Sequence, residues 1–114
     1  MSPPVLAIRY VGPDAAVVEL ALPEEHPAFD GHFPGQPVLP GVVQLDWAIR
    51  LAATCFGHAF QPARRFQVKY MRPIAPTPTG LTVSLRLDRT RHEVVFEYRR
   101  NDIPSSSGRF MLDA

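Results

Sequence analysis

The chain alternates short apolar runs with turn formers and carries a helical period in one place only. Residues 5–10 and 15–22 are rich in Val, Leu, Ile and Ala and are separated by Gly12-Pro13-Asp14, which predicts two strands of a hairpin. Between Pro23 and Pro40 no periodicity survives, and turn formers and aromatics dominate. This predicts a long ordered loop, a feature that small domains usually keep for function. Gly41–Phe56 predicts a helix, with Pro40 at its start and Gly57 as its stop. After Pro62, residues 65–71, 81–87, 93–99 and 108–112 alternate or carry β-branched and aromatic side chains. They predict four further strands, with a polar loop over 101–107. One helix and about six strands imply an α+β domain whose antiparallel sheet packs on the helix.

At 100° per residue, Val42, Leu45, Ile49, Ala52, Ala53 and Phe56 share one side of the helix, and Asp46 projects within that sector. A buried carboxylate is costly unless it is paired or neutral, so the acid has no stability rationale there. The opposite side carries Trp47, Leu51 and Cys55 with few charges, which predicts a central helix covered nearly all round. Arg50, four positions after Asp46, offers a plain intrahelical salt bridge as the alternative role for the acid.

Size and charge narrow the field. The 114 residues suffice for a single domain, 1–114, without a separate cofactor domain. Twelve Lys and Arg against eleven Asp and Glu argue against a general nucleic-acid binder. Arg64, Arg65, Lys69 and Arg72 nevertheless cluster, which suits a solvated face or a dock for an acidic partner. The single cysteine excludes an intramolecular disulfide and a cysteine-based zinc site. With no secretory pattern and no long apolar run, the expectation is a cytoplasmic protein without a membrane span. His26, six residues before His32, lacks a third ligand nearby and reads as a loop anchor, so no metal is expected.

The stiffest stretch carries the candidate chemistry. His32 lies in Asp30-Gly31-His32-Phe33-Pro34-Gly35-Gln36-Pro37-Val38-Leu39-Pro40-Gly41, where three prolines and three glycines restrain the backbone around an imidazole. Asp46 follows by fourteen positions. A His and a carboxylate on opposite sides of a substrate are suited to base and acid work near neutral pH. The first N–H groups of the helix, at Gly41 and Val42, lack intrahelical acceptors and could polarise a carbonyl oxygen.

Gly31-His32-Phe33-Pro34 followed by Pro37, Pro40-Gly41 and Asp46 resembles the motif of the β-hydroxyacyl-ACP dehydratases of the FabA/FabZ type. Phe29 and the run Lys69-Tyr70-Met71-Arg72-Pro73-Ile74-Ala75-Pro76 resemble the strand and Pro-ended turn of the same family, so the similarity spans most of residues 26–80. Gln44-Leu45-Asp46-Trp47 is similar to the small ApeI-like dehydratases of aryl-polyene gene clusters. The resemblance implies a hot-dog fold, a sheet wrapped around one central helix, in a homodimer or dimer-based higher oligomer. It implies His32 as the base at C2 of a (3R)-3-hydroxyacyl thioester and Asp46 of the other subunit as the acid at the C3 hydroxyl. Gly41 N–H would hold the thioester carbonyl, and Val42, Phe33 and Ile49 would line the acyl channel. No cofactor is implied, and the partner is an acyl-carrier protein. The acid is Asp, as in the branch that also isomerises the double bond, but this chain is much shorter than that branch's members and has Val42 where Cys is frequent. A hot-dog thioesterase and a non-catalytic acyl-binding subunit are the competing readings.

Overall fold

The structure, a computed structural model, describes residues 1–30, 35–57 and 65–112. Six strands form one antiparallel sheet: β1 (Val5–Gly12), β2 (Ala15–Leu22), β3 (Phe66–Tyr70), β4 (Thr77–Asp88), β5 (Glu93–Arg100) and β6 (Ile103–Met111). Their spatial order is β1-β2-β4-β5-β6-β3, so β1 and β3 are the edges. A 3₁₀ turn (Pro27–Phe29) and the helix α1 (Gly41–Phe56) complete the fold. This is the helix-on-sheet architecture the sequence leads one to expect.

Alternation explains which face of the sheet meets the helix. Ala16, Val18, Leu20 and Leu22 of β2, Leu81, Val83, Leu85 and Leu87 of β4, and Val94, Phe96 and Tyr98 of β5 are all buried. From α1 they receive Trp47, Ala48, Leu51 and Ala52, which are buried in the same cluster. Trp47 is additionally tethered, its indole N–H donating to the Met1 carbonyl at 3.3 Å and its ring meeting His26 edge-on at 5.5 Å. His26 accepts a bond from the Ala28 N–H through Nδ1, so it anchors the 3₁₀ turn.

Two strands begin well ahead of the sequence expectation. β6 begins at Ile103, because Asn101 and Asp102 both take positive φ (52° and 63°) and close a two-residue hairpin turn. The serines beyond that turn belong to the strand and point into the protein, where their hydroxyls find partners: Ser105 donates to the Ile103 carbonyl and Ser106 to the Gln44 side chain. β4 begins at Thr77, and the bulged stretch containing Pro78 and Gly80 still pairs, Thr77 lying opposite Leu22. The helix matches its expected limits and ends on Gly57 in the left-handed region at φ 70°.

The side of α1 that faces the sheet is the one carrying Gln44, Trp47, Ala48 and Leu51. The sector of Val42, Asp46 and Arg50 is exposed, and Leu45, Ile49, Ala53 and Phe56 beside it are half-buried. The helix is thus covered on one side only by the described residues, where the sequence predicts cover nearly all round.

Gln44 is buried, and its amide is the pivot of the helix start. It donates to the Leu39 carbonyl at 3.0 Å and accepts from the Ser106 hydroxyl at 2.6 Å, while its backbone carbonyl accepts from the Tyr98 hydroxyl at 2.7 Å. Removing the amide strands a buried donor and a buried acceptor. Gln44→Leu is expected to cost about 2–3 kcal/mol in denaturant unfolding. Adding Ser106→Ala should cost less than the sum of the two single changes, because it removes the stranded hydroxyl.

Burial pushes the Tyr98 hydroxyl well above the ordinary tyrosine range, and the nearby Asp46 and Tyr70 raise it further. The unfolded chain gives up this proton first, near pH 10. Stability from this group is therefore complete below that pH and lost as pH rises toward the folded value. Thermal melts should show an alkaline loss that Tyr98→Phe flattens.

Candidate functional site at the start of the central helix

Two segments converge on the first turn of α1. The approach loop is held by the Leu39 N–H donating to the Ile74 carbonyl at 2.8 Å. The turn after β3 is held by the Met71 and Arg72 N–H groups, both donating to the Ser105 carbonyl at 2.9 Å. Between them opens a cleft of about 370 Å³ lined by Val38, Leu39, Gly41, Gln44, Tyr70, Met71, Arg72 and Pro73.

The helix start presents donors to this region. Val43 N–H and Gln44 N–H both turn back to the Pro40 carbonyl at 3.1 Å, whereas Gly41 N–H and Val42 N–H have no acceptor among the described residues. With no acceptor among the described residues, these groups carry the positive end of the helix dipole and are suited to an oxygen that gains negative charge. Glycine at position 41 has a local reason that the sequence does not disclose. A Cβ there would lie 2.6–2.9 Å from ring atoms of Tyr70, whose hydroxyl donates to the Gly41 carbonyl at 2.9 Å.

Asp46 sits one turn further along, on the uncovered side of the helix. Its carboxylate accepts from Arg50 Nε at 2.9 Å, and both side chains are about half exposed. The intrahelical salt bridge is therefore present. An exposed pair of this spacing is worth only about 0.3–0.5 kcal/mol, so it does not commit the carboxylate to a structural role. Val42, 76% exposed, lies on the same side, and Ile49 packs partly against the core.

The remaining sequence candidates fall in different places. His32, Phe33 and Arg64 lie outside the described residues. Arg65, Lys69 and Arg72 are exposed but do not form one patch. Arg72 borders the helix-start cleft, whereas Arg65 borders a separate cleft of about 550 Å³ with Phe66, Gln67, Glu93, Arg109 and Met111. Burial raises the Cys55 thiol, only partly offset by a bond to Tyr10, which fits packing and not nucleophilic chemistry. Among the described residues no group of three or more His, Cys, Asp or Glu is placed to hold a metal, and no helix is long and apolar enough to cross a membrane.

Sequence reasoning gave no role to Tyr70 or Gln44, although both lie in runs that resemble the family, and did not single out Tyr98 or Ser106. Alternation places the inward residues on each strand, but only the register brings Tyr98, Ser106 and Tyr70 side by side on β5, β6 and β3.

Comparison with known proteins agrees with this geometry. A model of the ApeI-like family, described as ApeI dehydratase, matches residues 9–109. The solved dehydratase heterocomplex ApeI:P from Xenorhabdus doucetiae contains a chain 31% identical to this one, with 100% of both chains covered and a TM-score of 0.86. An uncharacterized protein from Erwinia carotovora subsp. atroseptica is 28% identical, with 99% of this chain and 97% of that one covered and a TM-score of 0.78. The 3-hydroxyacyl-[acyl-carrier-protein] dehydratase FabZ of Dinoroseobacter shibae is 31% identical over 74 residues, 57% of this chain and 44% of that protein. The chain spans less than half the length of the curated relatives it matches. With the helix, the sheet and the family match in agreement, the chain belongs to the ApeI-like family of hot-dog dehydratases.

Proposed function

We propose that the protein is a dehydratase of 3-hydroxyacyl thioesters carried on an acyl-carrier protein. The observation that carries the reading is the placement of Asp46. Its carboxylate emerges on the uncovered side of α1, one turn from the free N–H groups of Gly41 and Val42, beside an apolar sector that the chain's own sheet does not reach.

The chemistry follows from those parts. The thioester carbonyl is held at Gly41 N–H with the adjacent Val42 N–H as second donor, which stabilises the enolate-like charge formed when His32 removes a C2 proton; such a donor is worth ~3 kcal/mol. The C3–O bond then breaks, its electron pair leaving on the hydroxyl, which takes a proton from Asp46 and departs as water. The C2–H electron pair becomes the C2=C3 bond of a trans-2-enoyl thioester. Val42, Ile49 and Phe33 line the path of the acyl chain, and Arg72 at the cleft mouth is the best placed basic residue to meet an acidic carrier.

A second subunit completes the site in this reading. Val42 and the half-buried Leu45, Ile49 and Phe56 form an apolar sector around Asp46, which is costly in water and natural at an interface. A second copy of this chain is the simplest occupant. A different hot-dog subunit is the alternative, favoured by the relative solved as a heterocomplex.

Purified protein mixed with 3-hydroxyacyl-ACP should form the enoyl thioester, monitored by mass. His32→Ala and Asp46→Ala should each lower the rate by about 10²–10⁴-fold. Equal rates for wild type and both variants would sink the assignment, and release of free acid instead of enoyl product would favour a thioesterase. A chain inert alone but active after addition of a second hot-dog subunit supports the heteromeric form.

A further inference from the structure

We infer that Tyr70 is a positioning residue for the oxyanion donors at the start of α1. The inference rests on the dehydratase reading above and gives a role to a residue that lies in the run resembling the family but has no part assigned there. Tyr70 is the last residue of β3, and its hydroxyl donates to the Gly41 carbonyl at 2.9 Å. That carbonyl and the Val42 N–H belong to one peptide unit, which is planar and stiff. A donor on the oxygen therefore fixes the direction of the N–H and polarises it as a donor in turn.

The ring restrains the same unit from the side. A Cβ at Gly41 would fall 2.6–2.9 Å from its atoms and force the ring to shift, and the Tyr70 backbone is paired with the neighbouring strand, opposite Ser106, and followed by the bonds of Met71 and Arg72 to Ser105. Burial raises the Tyr70 hydroxyl above its ordinary range, so it remains a protonated donor at neutral pH. The side chain also lines the cleft that Gly41 and Arg72 border. The glycine and the tyrosine thus work as a pair: one gives up its side chain so that the other can orient the peptide that follows.

Tyr70→Phe keeps the ring and removes only the bond. It should lower kcat roughly tenfold while KM stays within about twofold, since the donor matters most when charge develops on the carbonyl oxygen. The Val42 amide resonance should move in the same variant without substrate. Gly41→Ala should be far more damaging in the wild-type background than in Tyr70→Ala, where the added methyl group has room. An active wild type whose Tyr70→Phe variant keeps both its kcat and the Val42 resonance overturns the inference alone. A moved resonance with unchanged kcat also overturns it. A wild type without dehydratase activity, alone or with a second hot-dog subunit, sinks the parent reading instead, and the positioning role of Tyr70 with it.

Discussion

Three hydroxyls, aligned across neighbouring strands, hold the first turn of the helix to the sheet. Tyr98 on β5, Ser106 on β6 and Tyr70 on β3 lie opposite one another in register, and each donates to α1: to the Gln44 carbonyl, the Gln44 side chain and the Gly41 carbonyl. Apolar packing of Trp47, Ala48, Leu51 and Ala52 supplies most of the adhesion between the layers, but it is non-directional and tolerates sliding. The hydroxyl row is directional. It sets the height and rotation of α1, and with them the aim of the free N–H groups at its start and the side on which Asp46 emerges.

Helix rotation has a second consequence. With Gln44, Trp47, Ala48 and Leu51 committed to the sheet, the sector around Val42, Leu45, Asp46 and Ile49 points elsewhere. A carboxylate within that sector would be a liability in a core and is an asset at a substrate channel. The weak exposed pair with Arg50 keeps the carboxylate hydrated in the isolated chain without binding it tightly.

Much of this was legible in the sequence. Pro40 and Gly57 bracket a helix whose limits the structure reproduces, and the apolar composition of residues 15–22 marks β2 in full. The serine-rich segment of β6 was hidden because its inward positions are polar, and Gln44, the partner of Ser106, lies 62 positions away. Helical period disclosed two apolar sectors on α1 but not which of them meets the chain's own sheet, since a surface kept for a partner looks as apolar as a core. The motif at His32 spoke through its residue types, whereas Tyr70 needed the register to become visible. Gly41 shows the same limit: its identity points to close approach, and only the fold reveals that Tyr70 is what approaches.

The central claim is that the site is shared, with His32 from one subunit facing Asp46 of another. Subunit exchange between His32→Ala and Asp46→Ala proteins tests it most directly. Random reassortment places one intact His32 and one intact Asp46 together in half of the sites of each mixed dimer. The mixture should therefore regain activity up to about a quarter of the wild-type rate per site, as expected for independent sites with exchange complete. Confirmed exchange with no gain over the separate variants would contradict the shared site.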